Sequence, residues 1–153
     1  MGTRSRIVLD QTPQHQTSNV VSMYCHYDGY MQYNGKMLLE HYNDIEKVRE
    51  LLLHTNGYAS VLKETPQETQ EISVHHDDHL MFHDSVHCFM KDHEDSDLEF
   101  IYLFRDGHWY VSKRNFVKCD DRFFGELHFY WTKFVKLADQ KEVQLKHHLE
   151  AVS

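Results

Sequence analysis

The densest set of potential metal ligands lies in the segment HHDDHLMFHDSVHCFMKDH. His79, His83 and His87 recur there at intervals of four residues. On a helix this spacing places the side chains on one face, where adjacent histidine pairs can bind Zn²⁺ or Ni²⁺ and Asp84 or Asp92 can add a carboxylate. Three interpretations stay open: a solvated polar segment, which we favour, adventitious binding of a divalent metal, and a metal-dependent hydrolase.

A second candidate site is the aromatic, glycine-containing segment YCHYDGYMQYNGK. It lies between a predicted strand and a predicted helix, and a helix start presents free backbone N–H groups and a positive dipole end to an anion. Lys36 would supply a cation, and the tyrosines would stack on a base or on a partner protein. We predict a ligand- or partner-binding site formed by Tyr24, His26, Tyr27, Asp28, Tyr30, Tyr33 and Lys36.

The same segment does not match a Walker A phosphate-binding loop. That motif has four residues between its glycines and a Ser or Thr after its lysine, because the hydroxyl ligates Mg²⁺. Here five residues separate Gly29 from Gly35, and Met37 follows Lys36. Nucleotide hydrolysis by that mechanism is not expected, whereas a tight structural turn and an anion site both stay open.

The cysteines indicate a reducing compartment. Cys25, Cys88 and Cys119 are odd in number, widely spaced and free of any CxxC pair, so we expect free thiols in a cytosol. Cys25 and His26 are adjacent on a predicted strand and point to opposite faces, so they cannot form a catalytic dyad with each other. We interpret Cys25 as a core residue.

Length and charge restrict the class of partner. The 153 residues suit one domain, and the formal net charge of −8 makes duplex nucleic acid an unfavourable partner, because phosphate neutralisation needs Lys and Arg. The sequence has no segment that resembles a signal peptide or approaches the ~20 apolar residues of a membrane span. We therefore expect no membrane partner.

Two predicted β-hairpins supply the strands. The first pairs a strand at Arg4–Leu9 with one at Asn19–His26, across a polar loop. The second pairs Leu98–Phe104 with Trp109–Lys113 through an Asp-Gly turn, which is a strong hairpin signal. Because the second hairpin is apolar on both faces, we place it at the centre of the sheet.

One amphipathic helix is predicted between the hairpins. It would begin near Asn34 as the N-cap and stop at Asn56-Gly57, where a left-handed conformation ends the helix. A polar loop containing Pro66 is expected at Lys63–Glu71, and a mixture of helix and loop up to Asp97. The apolar stripe of the helix consists of Leu38, Tyr42, Ile45, Val48 and Leu52.

A long C-terminal helix is predicted over Phe123–Val152. Its apolar positions keep roughly one face, from Leu127 and Trp131 to Leu149. The predicted fold is therefore α+β: a small antiparallel sheet of two hairpins, one packed helix and this C-terminal helix. Residues 1–121 would form the α+β domain, and residues 122–153 would pack on it or mediate self-association, with a homodimer favoured.

A set of short motifs resembles that of a known protein family. The chain opens with MGTRS, continues with YCHYDGY and with GKMLLEHY from Gly35, and closes its second hairpin with YLFRDGHWYV. This set resembles a family of small tailed-phage proteins, which open with MGTRS and carry YCHxDGY followed by GKxLLxxY. The resemblance brings no activity with it. It implies an accessory protein in the cytoplasm of the infected bacterial host.

Taken together, these patterns favour a non-enzymatic binding protein of phage origin. It would inhibit a bacterial host protein or an anti-phage defence protein through the segment from Tyr24 to Lys36. The alternatives are a nucleotide-binding sponge or nucleotide-processing protein built on that segment, and a metal-dependent hydrolase built on the histidines. We expect no cofactor beyond an adventitious divalent metal.

Overall fold

Eight β-strands and several short helices form the described part of the chain, which covers residues 2–11, 19–73, 79–118 and 127–144 in this computed structural model. The strands are β1 (Ser5–Asp10), β2 (Val20–Cys25), β3 (Tyr58–Ala59), β4 (Met81–His83), β5 (Phe100–Arg105), β6 (His108–Lys118), β7 (Leu127–Trp131) and β8 (Val135–Lys136). The α-helices are α1 (Lys36–His41), α2 (Ile45–Thr55), α3 (Pro66–Ile72) and α4 (Val86–Asp92). Within these ranges no helix is both long and apolar enough to cross a membrane.

The strands form one mixed sheet in the order β3-β2-β1-β5-β6-β7, with β4 beside β2 and β8 beside β6. Both predicted hairpins are confirmed, because β1 pairs antiparallel with β2 and β5 with β6. The prediction of a small antiparallel sheet is wrong, since β1 pairs in parallel with β5 over Ser5–Leu9. All six residues of β1 are buried, as expected of a central strand covered on both faces.

The two faces of the sheet carry separate cores. One face packs against α1 and α2 and includes Ile7, Met23 and Tyr102, all fully buried. The other face packs against α4, whose Phe89 contacts a smaller core with Val8, Val20, Ile101 and Leu103. The alternation along each strand therefore assigns its side chains to two different helical layers.

The predicted single helix is divided. A π-helical turn, Met31–Gly35, comes first, and α1 and α2 follow with a break at Tyr42–Asp44. Asn34 is therefore not the N-cap, since it lies inside the π-helical turn and is fully buried. Asp44 caps α2 by accepting from the Lys47 backbone N–H at 3.0 Å. The predicted stop is confirmed, with Asn56 in the left-handed conformation at φ 49°.

The predicted loop around Pro66 is instead helix α3. Thr65 is its N-cap and accepts from the Glu68 backbone N–H at 3.1 Å. Thr65 Oγ1 also donates to Glu68 Oε1 at 3.1 Å. Proline suits the first turn of a helix because the missing N–H has no intrahelical partner there. The loop prediction gave Pro66 too much weight as a helix breaker and overlooked the Thr-x-x-Glu capping pattern.

The predicted C-terminal helix is wrong over residues 127–140, whereas residues 141–144 are helical. Residues 127–131 form β7, which pairs antiparallel with the end of β6, and residues 135–136 form β8, which pairs with the start of β6. A 3₁₀ turn, Leu137–Asp139, follows. The aromatic sequence FYW favours a strand, and pairing with β6 outweighs the helical spacing of Leu127, Trp131 and Phe134. Residues 122–126 and 145–153 of this prediction lie outside the described residues.

We predict that Gly57→Ala destabilises the protein much more than Gly107→Ala. Both glycines have positive φ, 106° and 79°, so alanine is strained at either position, by about 1 kcal/mol. A Cβ at Gly57 would also lie 2.1 Å from the backbone carbon of His79, whereas none of the described atoms lies within 4 Å at Gly107. Overpacking adds roughly 1–3 kcal/mol at Gly57. Urea unfolding measures both free energies, and equal losses would contradict the close approach.

Candidate functional site

The segment after β2 is held to the sheet edge by backbone hydrogen bonds. The N–H of His26 donates to the carbonyl of Ala59, and the N–H of Tyr27 donates to the carbonyl of Ser60, both at 2.9 Å. These bonds extend the pairing of β2 with β3 beyond the last residue of β2, Cys25. The first residues of the segment are therefore part of the rigid sheet rather than of a free loop.

The turn at Asp28-Gly29 is fixed from two further sides. The N–H of Gly29 donates to the carbonyl of Thr3 at 2.8 Å, and Tyr102 Oη on β5 donates to the carbonyl of Gly29 at 2.5 Å. Asp28 has φ 57°, and a Cβ at Gly29 would lie 2.6 Å from the Thr3 carbonyl oxygen. Glycine is therefore required at position 29 because two backbone segments approach each other closely there.

Five of the predicted site residues form one partly exposed surface, which we call the aromatic surface. Tyr27 and Tyr30 are 45% and 37% exposed, whereas Tyr24, His26 and Asp28 are half-buried. The Tyr24 hydroxyl and His26 Nδ1 are hydrogen-bonded at 2.8 Å, and the His26 and Tyr27 rings meet edge to face with centroids 4.5 Å apart. The aromatic surface consists of Tyr24, His26, Tyr27, Asp28 and Tyr30.

Asp28 fixes the orientation of Tyr30 within the aromatic surface. Tyr30 Oη donates to Asp28 Oδ1 at 3.1 Å, and this hydrogen bond raises the pKa of Tyr30 above its usual value. The phenol therefore stays protonated at neutral pH and presents its ring in a defined orientation. The surface offers flat apolar area with polar edges, which suits protein recognition.

The other two predicted site residues point into the protein. Tyr33 Oη donates to the carbonyl of Leu62 at 2.7 Å, which ties the π-helical turn to the segment after β3. Lys36 is only 9% exposed. Neither side chain belongs to the aromatic surface, so the predicted group of seven residues is divided by the fold.

The predicted anion site at the start of the helix is not formed as expected. Helical structure begins at Met31, so Lys36 follows five residues that are already helical. The C-terminal segment also covers this region, because a Cβ at Gly35 would lie 3.1 Å from Val143 and 3.2 Å from Leu137. The free N–H groups that the prediction placed beside Lys36 are therefore absent from that position.

A buried polar cluster below the aromatic surface was not predicted from the sequence. Asn34 Nδ2 donates to Ser5 Oγ at 3.1 Å and to Cys25 Sγ at 3.5 Å. Cys25 is fully buried, as expected of a core cysteine, and burial raises the pKa of its thiol to about 11. The polar residue Ser5 within the first strand was the one feature of the sequence that could have indicated this cluster.

The three candidate metal ligands do not share a helical face. His79 precedes β4, His83 lies at its end, and His87 lies in α4. The prediction that these residues share a helix is therefore wrong, because α4 begins only after its N-cap Ser85 and includes His87 alone of the three. Among the described residues, no group of three or more His, Cys, Asp or Glu side chains is placed to hold a metal ion.

His83 instead forms part of a buried aromatic cluster under α4. Its Nε2 lies 2.7 Å from Asp92 Oδ2, and its ring meets Phe89 edge to face at 5.3 Å. Phe89 stacks on His93 at 4.2 Å, and His93 Nδ1 lies 2.8 Å from the carbonyl of Phe89. Burial lowers the pKa of His93, which the sequence analysis did not single out.

A buried positive charge, that of Arg6 in β1, also lies on the face of the sheet that α4 covers. Arg6 is buried there and donates from Nε to Ser22 Oγ at 3.1 Å and from a terminal nitrogen to the Ser22 carbonyl at 3.2 Å. Its positive charge contributes to the lowered pKa of His93, after burial itself.

Comparison of the chain with protein-family models, with curated proteins and with solved structures found no match.

We predict that Cys88 reacts with a thiol reagent long before Cys25 in the native protein. Cys88 is exposed, whereas Cys25 is buried, and with a pKa of about 11 roughly one in a thousand Cys25 thiols is ionised at pH 8. Peptide mapping by mass spectrometry after timed alkylation resolves the sites. Equal labelling of both residues without unfolding would contradict the burial of Cys25, and denatured protein provides the control.

We predict that neutral His93 contributes to an acid-dependent loss of stability. Its pKa is lower in the folded protein than in the unfolded chain, so below about pH 6.5 the unfolded state binds more protons. The free energy of unfolding should then fall with decreasing pH, by at most about 1.4 kcal/mol per unit for this group. His93→Gln should reduce that slope between pH 7 and 5. His87→Gln, at an exposed histidine of α4, is the matched control, and equal slopes for wild type and His93→Gln would refute the assignment.

Proposed function

We propose that this chain is a non-enzymatic binding protein that recognises a partner protein through the aromatic surface. The observation that carries the proposal is the exposure of Tyr27 and Tyr30 on a backbone that three separate segments hold in place. Tyrosine is enriched among the residues that dominate binding energies, and a rigid presentation lowers the entropy lost on association.

The alternatives receive less support from the same geometry. A nucleotide-binding or nucleotide-processing protein needs a cation and free N–H groups for the phosphates, and Lys36 lies inside the helical segment instead. A metal-dependent hydrolase needs converging ligands, and His79, His83 and His87 lie on three different elements.

The class of partner is proposed from the resemblance to tailed-phage proteins. Such an accessory protein would act in the cytoplasm of the infected bacterium, where it would bind and inhibit a host protein or an anti-phage defence protein. The motif YCHYDGY that carries the resemblance spans the aromatic surface. All five residues of the aromatic surface therefore lie within one of the motifs that carry the resemblance.

We predict that Tyr27→Ala and Tyr30→Ala each abolish partner capture without unfolding the protein. Both side chains are partly solvent-exposed and neither belongs to the buried core, so their removal costs little core area, whereas loss of a binding hot spot costs about 2 kcal/mol or more, roughly a 30-fold weaker Kd. The tagged protein is incubated with lysate of a bacterial host, and the captured proteins are quantified by mass spectrometry.

Leu53→Ala is the matched control, because Leu53 is also apolar and is 73% exposed on α2. A protein captured by wild type and Leu53→Ala but lost with both tyrosine variants supports the proposal and then serves for direct Kd measurement. If every captured protein binds the tyrosine variants equally well, the aromatic surface is not the binding site. A nucleotide retained in native mass spectrometry would favour the nucleotide-binding alternative.

A further inference from the structure

We propose that the free edge of β7 binds β7 of a second copy of this chain, antiparallel about a two-fold axis. The proposal does not depend on the function of the aromatic surface. It joins three observations at the same strand: an edge that no other described strand pairs with, exposed aromatic side chains, and a groove that carries both positive and negative charges.

The backbone of β7 has one edge that is unpaired among the described residues. Among the described strands β7 pairs with β6 alone and ends the sheet. The N–H of Thr132 donates to the carbonyl of Lys113 at 3.0 Å, and hydrogen-bonded pairs alternate along an antiparallel ladder. The N–H and C=O groups of Phe129 and Trp131 therefore point away from β6. The strand LHFYW also carries no Lys or Pro, the residues that commonly protect such an edge.

Exposed aromatic rings accompany this edge. Residues 114–118 of β6 continue beyond β5 and pair with β7, so this part is a two-stranded ribbon. Phe116 and Tyr130 are exposed on it, and Phe129 is 55% exposed. A two-stranded ribbon is marginally stable in water unless another layer or strand adds to it. A further strand from a second copy would supply that addition.

The charges beside β7 favour a second copy of this chain as the molecule that binds at its edge. A groove of about 710 Å³ lies between α4 and β7, and its rim carries Lys91, Glu94 and Asp95. Among the described residues these three form no ion pair, and Arg114 lies 4.8 Å above the Phe129 ring. The two positive and two negative charges cancel, which limits repulsion between copies of a chain with net charge −8.

The order of these charges makes the face self-complementary. In a two-fold interface, a residue away from the axis contacts a different residue on the partner, and that contact is repeated in reverse. In the proposed dimer the two-fold axis places Lys91 of one copy opposite Glu94 and Asp95 of the other. The β7 backbones pair antiparallel about the same axis.

The first test measures molecular mass by sedimentation equilibrium under reducing conditions, which prevents disulfides through the exposed Cys88. Wild type should approach the mass of two chains with increasing concentration. Phe129→Lys, which places a charge beside the open edge, should have the mass of one chain with unchanged circular dichroism. Leu53→Lys on α2 is the matched control and should remain dimeric. A wild type that is monomeric at every concentration, or a folded dimeric Phe129→Lys, overturns the proposal.

A second test uses charge exchange and does not depend on the folding of Phe129→Lys. Lys91→Glu and Glu94→Lys should each weaken the dimer, because each single variant opposes like charges across the two-fold axis. An equimolar mixture of the two variants should recover dimers that contain one chain of each. Native mass spectrometry detects these mixed dimers when one variant carries a tag that changes its mass. If both single variants dimerise as tightly as wild type, or if the mixture shows no preference for mixed dimers, this pairing is wrong.

Discussion

The parallel pairing of β1 with β5 is the contact on which the rest of this structure depends. It joins two hairpins that are separated by nearly half of the chain, in a register that runs from Ser5 opposite Phe100 to Leu9 opposite Phe104. Because both strands then lie at the centre of the sheet, both of their faces must be covered. The helices α1 and α2 cover one face and α4 covers the other, and each layer has its own core.

The same pairing fixes the aromatic surface. Thr3, just before β1, accepts from the Gly29 N–H, and Tyr102 on β5 donates to the Gly29 carbonyl. A strand register set in the centre of the sheet thereby determines the shape of a turn at its edge. A rigid scaffold that positions a short connecting segment is the usual way in which a fold presents binding residues. The backbone that carries the exposed tyrosines is held by Thr3 and Tyr102, and the Tyr30 hydroxyl is fixed by its hydrogen bond to Asp28.

The two proposed binding surfaces lie at different edges of the sheet. The aromatic surface adjoins β2 and β3 at one end of the strand order, and β7 lies at the other end. Pairing of two copies through β7 would therefore leave both aromatic surfaces open, and the dimer would present two of them. Two linked sites raise the apparent affinity for a partner that is itself multivalent, without any new contact.

The sequence by itself determined the local elements: the two hairpins with their Asp-Gly turn, the buried stripe of Leu38, Tyr42, Val48 and Leu52, and the stop at Asn56. These depend on alternation, periodicity and turn chemistry, which act between near neighbours. Only the tertiary structure decided that β1 pairs with β5, that Lys36 lies inside the protein, and that residues 127–131 are a strand paired with β6. Their positions depend on long-range pairing and burial, and where local spacing and tertiary contacts disagree, as in LHFYW, strand pairing with β6 prevails.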